Sequence, residues 1–307
     1  MIEPAVIVLR LLQYLGAMVL MGSSLFFVYA LPSSGGGSAA QTRWARPLLV
    51  AAAALLAVAA FLGIAAQSSL LTGSVGEGLK AETLTAVVSS MALGKAAVVR
   101  GALAVLAVLG LLALKPGRPA WIVAAVLGAV ATASLAWMGH GAATEGPFGR
   151  LHLASDVLHA LAAAVWIGAL AAFVGLLTAP SAAGQPALHH ALHGFSGIGS
   201  VVVALLVLTG LVNSWILVGP NHLPGLFTTP YGQLLSVKLA LFVAMVGLAA
   251  ANRFQHTPAF GRVLVAHESP DSALIALRRS VAYETALGLA VLALVAGFGT
   301  LPPPSAG

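Results

Sequence analysis

The stretch PLLVAAAALLAVAAFLGIAAQSSLL, residues 47–71, carries no charged side chain and only a glutamine and two serines among its polar ones. A helix that crosses a bilayer needs about 20 apolar residues, so this stretch reads as a membrane span. Seven further runs of the same kind lie on either side of it. The eight together are residues 4–31, 47–71, 87–114, 120–140, 152–179, 196–219, 232–252 and 280–300. Their Ala-Leu-Val texture lacks the period of two that marks a membrane β-barrel. The fold class expected is therefore all-α, a polytopic integral membrane protein built as a bundle of eight transmembrane helices. Residues 1–119 form an N-terminal three-helix part and residues 120–307 a five-helix part of a single membrane domain.

Composition agrees. Of the 307 residues 60% are apolar and 7% charged, against roughly a quarter charged in a soluble domain, and mean hydropathy is +1.01. Such a chain lacks the polar surface a cytosolic enzyme or a nucleic-acid binder needs. Its 14 Lys and Arg against 8 Asp and Glu are spread thinly over connections and form no basic patch. Cysteine is absent, which excludes disulfides, thiolate metal sites, iron–sulfur clusters and covalently attached haem. The first apolar run is too long for a signal peptide and is expected as a mature helix. A Gly/Ser linker is expected at 33–38, and Pro302, Pro303 and Pro304 should end the chain in a short tail.

The connections alternate in charge. Arg43, Arg46, Lys115, Arg118, Arg253, Arg262, Arg278 and Arg279 fall on one side; Lys80 and Arg150, with Arg10 just inside the first span, fall on the other. The positive-inside rule places the first group in the cytoplasm and both termini outside it, in the periplasm where the host has one. The cytoplasmic connections are then 32–46, 115–119, 180–195 and 253–279; the outer ones are 72–86, 141–151 and 220–231.

Polar groups inside such spans are costly and usually face protein or water. The fifth span holds His152, Asp156 and His159 at i, i+4 and i+7, within an arc of about 60° on a helix. A short outer connection brings His140, next to Met138, back beside His152. Three imidazoles, a carboxylate and a thioether at one membrane surface suit copper, either Cu(I) or Cu(II), with the carboxylate as ligand or as the group that orients a histidine. The competing reading is that these residues cap helices and meet headgroups. A third is b-type haem held between His140 and His159.

Met18, Met21 and Met91 lie along the spans as thioethers that can pass Cu(I), or as ordinary core filling. His189 and His193, four apart in the connection 180–195, can bind a metal leaving the membrane, or are simply polar surface. Lys95 and Arg100 in the third span, Asn213 in the sixth and Glu284 in the eighth are intramembrane polar groups; Glu284 is a candidate partner for a cation on a neighbouring helix. No nucleophile–base pair stands out, so no enzyme activity is expected. No Walker motif is present, so ATP is not the expected driver.

The spacing GH-x11-H-x3-D-x2-H, followed by Trp166-Ile167-Gly168, resembles the CopD/PcoD copper-resistance membrane proteins. The likeness continues through HGFSGIGSVVVALLVLTGLVNSW (193–215), YGQLLSVKLALF (231–242), AANRF (250–254) and LRRSVAYETALGLAVLAL (277–294). The resemblance implies a multi-pass protein of a bacterial inner membrane that moves copper from periplasm to cytoplasm, served by a periplasmic CopC-like copper carrier. It places His140, His152, Asp156 and His159 in the family's polar motif. The family's helix pattern also keeps a b-type haem in view. No fused carrier-like domain is expected within the 307 residues.

Overall fold

The computed structural model describes residues 2–30, 43–178, 184–299 and 301–306. The linker expected at 33–38 lies outside these residues, as do the expected ends of the first, fifth and eighth spans. Among the described residues there are helices and turns but no strand. Eight helices are long and apolar enough to cross a membrane. They are α1 (Ile2–Ala30), α2 (Ala45–Thr72), α3 (Ala92–Ala113), α4 (Arg118–Ala133), α5 (Gly149–Thr178), α6 (Gln185–Leu217), α7 (Pro230–Ala251) and α8 (Asp271–Phe298). A 3₁₀ segment, Ser134–Met138, prolongs α4.

Helix α1 is the hub: it packs against α2, α4, α5 and α8. Helices do not attract one another hydrophobically inside lipid, so close approach depends on small residues. The crossing of α1 and α5 shows this. A Cβ on Gly22 would stand 1.8 Å from the Ala164 carbonyl oxygen, and one on Gly168 would stand 2.3 Å from Gly22. Ser23 donates to the Gly168 carbonyl at 2.8 Å across this contact. One turn further, Phe26 meets Phe173 edge-on, with ring centroids 4.9 Å apart. Helices α6 and α7 turn much of their length outward; Val201, Leu208, Leu211 and Val243 are all exposed, as lipid-facing side chains are.

Three expected boundaries move. The third span begins at Ala92 and not at 87, because Met91 is extended (φ −102°, ψ 134°) and separates α3 from a short helix, Ala81–Ser90. Gly94 lets that helix turn back on α3, since a Cβ there would stand 2.2 Å from the Val87 carbonyl oxygen. The sixth span starts at Gln185, so most of the expected connection 180–195 is helix. The eighth starts at Asp271, and the expected connection 253–279 is largely helical too: a π-helical turn, Asn252–His256, leads into Thr257–Val265. Propensity carries these helices beyond the apolar window, because Leu, Ala and Arg favour helix as strongly outside lipid as within it.

Both ends of the bundle can be traced through side chains. Arg10 near the start of α1 donates to the carbonyls of Met138 (2.5 Å) and Gly299 (3.4 Å). At the other end Arg46 donates to Leu112 O and Arg278 to Leu177 O. The α1 N-terminus therefore shares one end with the exits of α4 and α8. By the charge alternation this is the outer end.

Candidate metal site

His152 sits in the first turn of α5 and is fully buried. Its Nδ1 lies 2.6 Å from the Thr144 hydroxyl, which itself donates to the His140 carbonyl at 3.0 Å. With the hydroxyl proton given to the His140 carbonyl, Thr144 accepts the Nδ1–H of His152 and Nε2 carries the lone pair; with the proton given to Nδ1, Nε2 carries the N–H. That Nε2 is buried without a hydrogen-bond partner and faces Asp156 Oδ2 at 3.9 Å. In the tautomer with Nε2 unprotonated, a lone pair and a carboxylate oxygen face each other, two acceptors that a cation can bridge. Metal–nitrogen and metal–oxygen bonds of about 2 Å each span such a gap.

Asp156 is held from three sides. Asn213 on α6 donates to Oδ1 at 2.6 Å. Gly141 presses on Oδ2, where a Cβ would come within 2.2 Å. Lys238 on α7 is near enough to act on the carboxylate electrostatically. The carboxylate is 22% exposed, so the pair has a route to the surface.

His140 and His159 flank this pair in different ways. His140 lies beyond the end of the fourth span, half-buried, with Nε2 3.0 Å from the Leu301 carbonyl and its ring edge-on to Tyr231 at 5.7 Å. Burial pushes its imidazole below the ordinary histidine value of 6.5, and the Arg10 charge adds to this; the Leu301 carbonyl and Asp156 pull the other way. His159, about one turn deeper, pairs Nδ1 with the Thr209 hydroxyl at 2.8 Å, and Thr209 donates to Leu205 O at 2.6 Å. With the Thr209 proton on the Leu205 carbonyl, Nε2 of His159 is the nitrogen with the lone pair. Among the described residues, no three His, Asp or Glu are close enough to hold a metal ion together.

Sequence reasoning missed Thr144 and Thr209, the hydroxyls that pair with the Nδ1 atoms of His152 and His159. Thr209 and Asn213 stand four residues apart in the apolar run of α6, and that i, i+4 spacing puts them on the face that meets α5.

The remaining candidates are dispersed. Met18 and Met21 are buried in α1, with Met21 against Gly128 of α4. Met91 stands at the break before α3 and is exposed; Met138 is buried beneath Arg10. Lys95 is exposed on α3. His189 and His193 stack on α6, ring centroids 6.4 Å apart at 22°. Arg100 is buried and bonds Gln13 Oε1 (2.9 Å) and Ser134 (3.0 and 3.2 Å). The expected cation partner of Glu284 is replaced by neutral donors, Trp166 Nε1 at 2.6 Å and Asn252 Nδ2 at 2.9 Å. This buried carboxylate borders a cavity of about 370 Å³ at the inner end, shared with Phe195, Ser200 and Arg253.

Comparison with known proteins connects this arrangement to others. The model "Copper resistance protein D-like, N-terminal domain" matches residues 1–150, and "Copper resistance protein D" matches residues 189–298. Copper resistance protein D of Pseudomonas syringae pv. tomato is 37% identical over 98% of this chain and 97% of its own length. The chain belongs to the copper resistance protein D family. Two further relatives match over 55% of the chain: the inner membrane protein YebZ of Escherichia coli (28% identical, 55% of its length) and the copper transport protein CutJ of Bacillus subtilis (31% identical, 28% of its length). No solved structure matches the chain. Copper resistance protein D chains are thus the context for a multi-pass membrane protein with a histidine–aspartate pair at one end of its bundle.

Proposed function

We propose that this chain is an inner-membrane copper importer that takes the ion at the outer end of the bundle and releases it to the cytoplasm. The observation that carries the reading is the orphaned Nε2 of His152 opposite Asp156 Oδ2. Copper is the cargo: imidazole binds both of its oxidation states, and the names of two relatives, a copper resistance protein and a copper transport protein, point the same way. His140 and His159 carry lone pairs on either side of the pair and would close on the ion as it enters. A soluble periplasmic carrier would deliver copper to this end.

Inward movement of a cation down the membrane potential gains about 2.3 kcal/mol per charge per 100 mV. The buried thioethers of Met18 and Met21 then offer soft ligands on the way, and the stacked His189–His193 pair lies at the exit.

The test is copper flux into proteoliposomes holding the full chain, with metal content and visible absorbance measured on the same preparation. Import that falls at least tenfold in both His152→Ala and Asp156→Asn supports the reading. Copper bound without flux, or a Soret band carried by His140 and His159, overturns it.

A further inference from the structure

Arg10 and Arg100 bury two positive charges in the outer half of the bundle, at 8% and 1% exposure. Neither has an ion-pair partner among the described residues, where the ion pairs are Lys80–Glu77 and His152–Asp156. The two guanidinium groups are close enough to repel each other. Carbonyls and amides supply part of what they lack: Met138 and Gly299 for Arg10, Gln13 and Ser134 for Arg100. The Nε of Arg10 remains buried with no partner at all.

Both arginines line one cavity of about 30 Å³, together with the side chains of Gln13 and Gln67. That space admits a water molecule or a halide. Placing even one unpaired charge in a low-dielectric interior is strongly unfavourable. A neutral water answers hydrogen bonds but leaves both charges standing, whereas a monovalent anion bonds the free N–H and offsets the repulsion as well.

We infer that the cavity between Arg10 and Arg100 is a binding site for a small monovalent anion of the chloride class. Its guanidinium walls come from α1 and α3, so the bound ion ties these two helices together across α2. Through Arg10, which acts electrostatically on His140, it also lowers the positive potential beside the outer histidines. The site stands on these residues and does not depend on copper transport.

The experiment is thermal unfolding of the purified full chain in chloride against gluconate, at matched ionic strength and pH. A saturable rise in Tm with chloride is expected, reproduced by bromide and absent in Arg10→Gln. Where Arg10→Gln fails to fold, Gln67→Leu, which strips the amide from the cavity wall, is expected to remove the same dependence. Crystals grown in bromide should show anomalous scattering between the two guanidinium groups. Equal Tm in both salts, a chloride effect that persists in the variants, or bromide-grown crystals without that peak would each overturn the inference.

Discussion

Trp166 donates its indole N–H to Glu284 Oε1 at 2.6 Å, and so joins the middle of α5 to α8 by a buried hydrogen bond. Both residues are almost wholly buried, and Asn252 completes the triad from the end of α7. Three helices thus meet on one carboxylate. Trp166→Phe keeps the ring and deletes the donor, leaving Oε1 buried and unmet. The expected loss is about 1–3 kcal/mol, read as a lower Tm of the purified protein. Glu284→Gln should cost less than Glu284→Ala, because the amide oxygen still accepts from Trp166.

Thr144→Val removes the hydroxyl that holds the His152 ring through Nδ1 and leaves every proposed ligand in place. Groups that orient a metal-binding histidine contribute about 10–100-fold to affinity. Copper binding should weaken within that range while Tm changes little, and Thr144→Ser should restore it. Unchanged affinity in Thr144→Val would separate Thr144 from the site.

Gly22→Ala is expected to be among the most damaging single-methyl additions in the chain. The new Cβ meets the Ala164 carbonyl, a backbone atom that cannot rotate away. Overpacking commonly costs about 1–3 kcal/mol, and here the α1–α5 crossing itself must widen. Poor yield or a large fall in Tm is expected. Gly247→Ala, where a Cβ meets nothing within 4 Å, is the matched control.

Acid should destabilise the fold partly through His140. Burial holds its imidazole below 6.5, so the unfolded chain takes up the proton first as pH falls. Stability from this group is complete above pH 6.5 and is lost as pH drops toward its lowered folded value. Tm measured from pH 8 to 5 should fall more steeply in the parent than in His140→Gln. Parallel curves would show that His140 does not contribute.

Much of this was legible in the residues. Eight spans, their order and the charge alternation follow from hydropathy, since the cost of a buried backbone or charge in lipid is large enough to override other preferences. The face shared by His152, Asp156 and His159 follows from helical periodicity. The break at Met91 was not legible, because no proline or glycine stands at that position and its cause, the packing of Ala81–Ser90 on Gly94, lies several residues away. Nor were the partners of Glu284 and Arg100. Sequence marks a buried charge as one needing compensation, and the bundle supplied neutral donors and carbonyls where an opposite charge was expected.

The sequence by itself determined that the chain crosses a membrane eight times and which side chains are too polar to face lipid, because both depend on transfer free energies that each segment carries alone. Which of those side chains meet was decided by tertiary structure. His152 opposes Asp156 with its Nε2 free because a threonine in the connection after α4 holds the other nitrogen, and Arg10 nears Arg100 because α1 and α3 both pack on α2 and their long side chains reach one cavity. Such pairings depend on helix rotation and depth, and these are set by small residues at crossings and by the connections between helices.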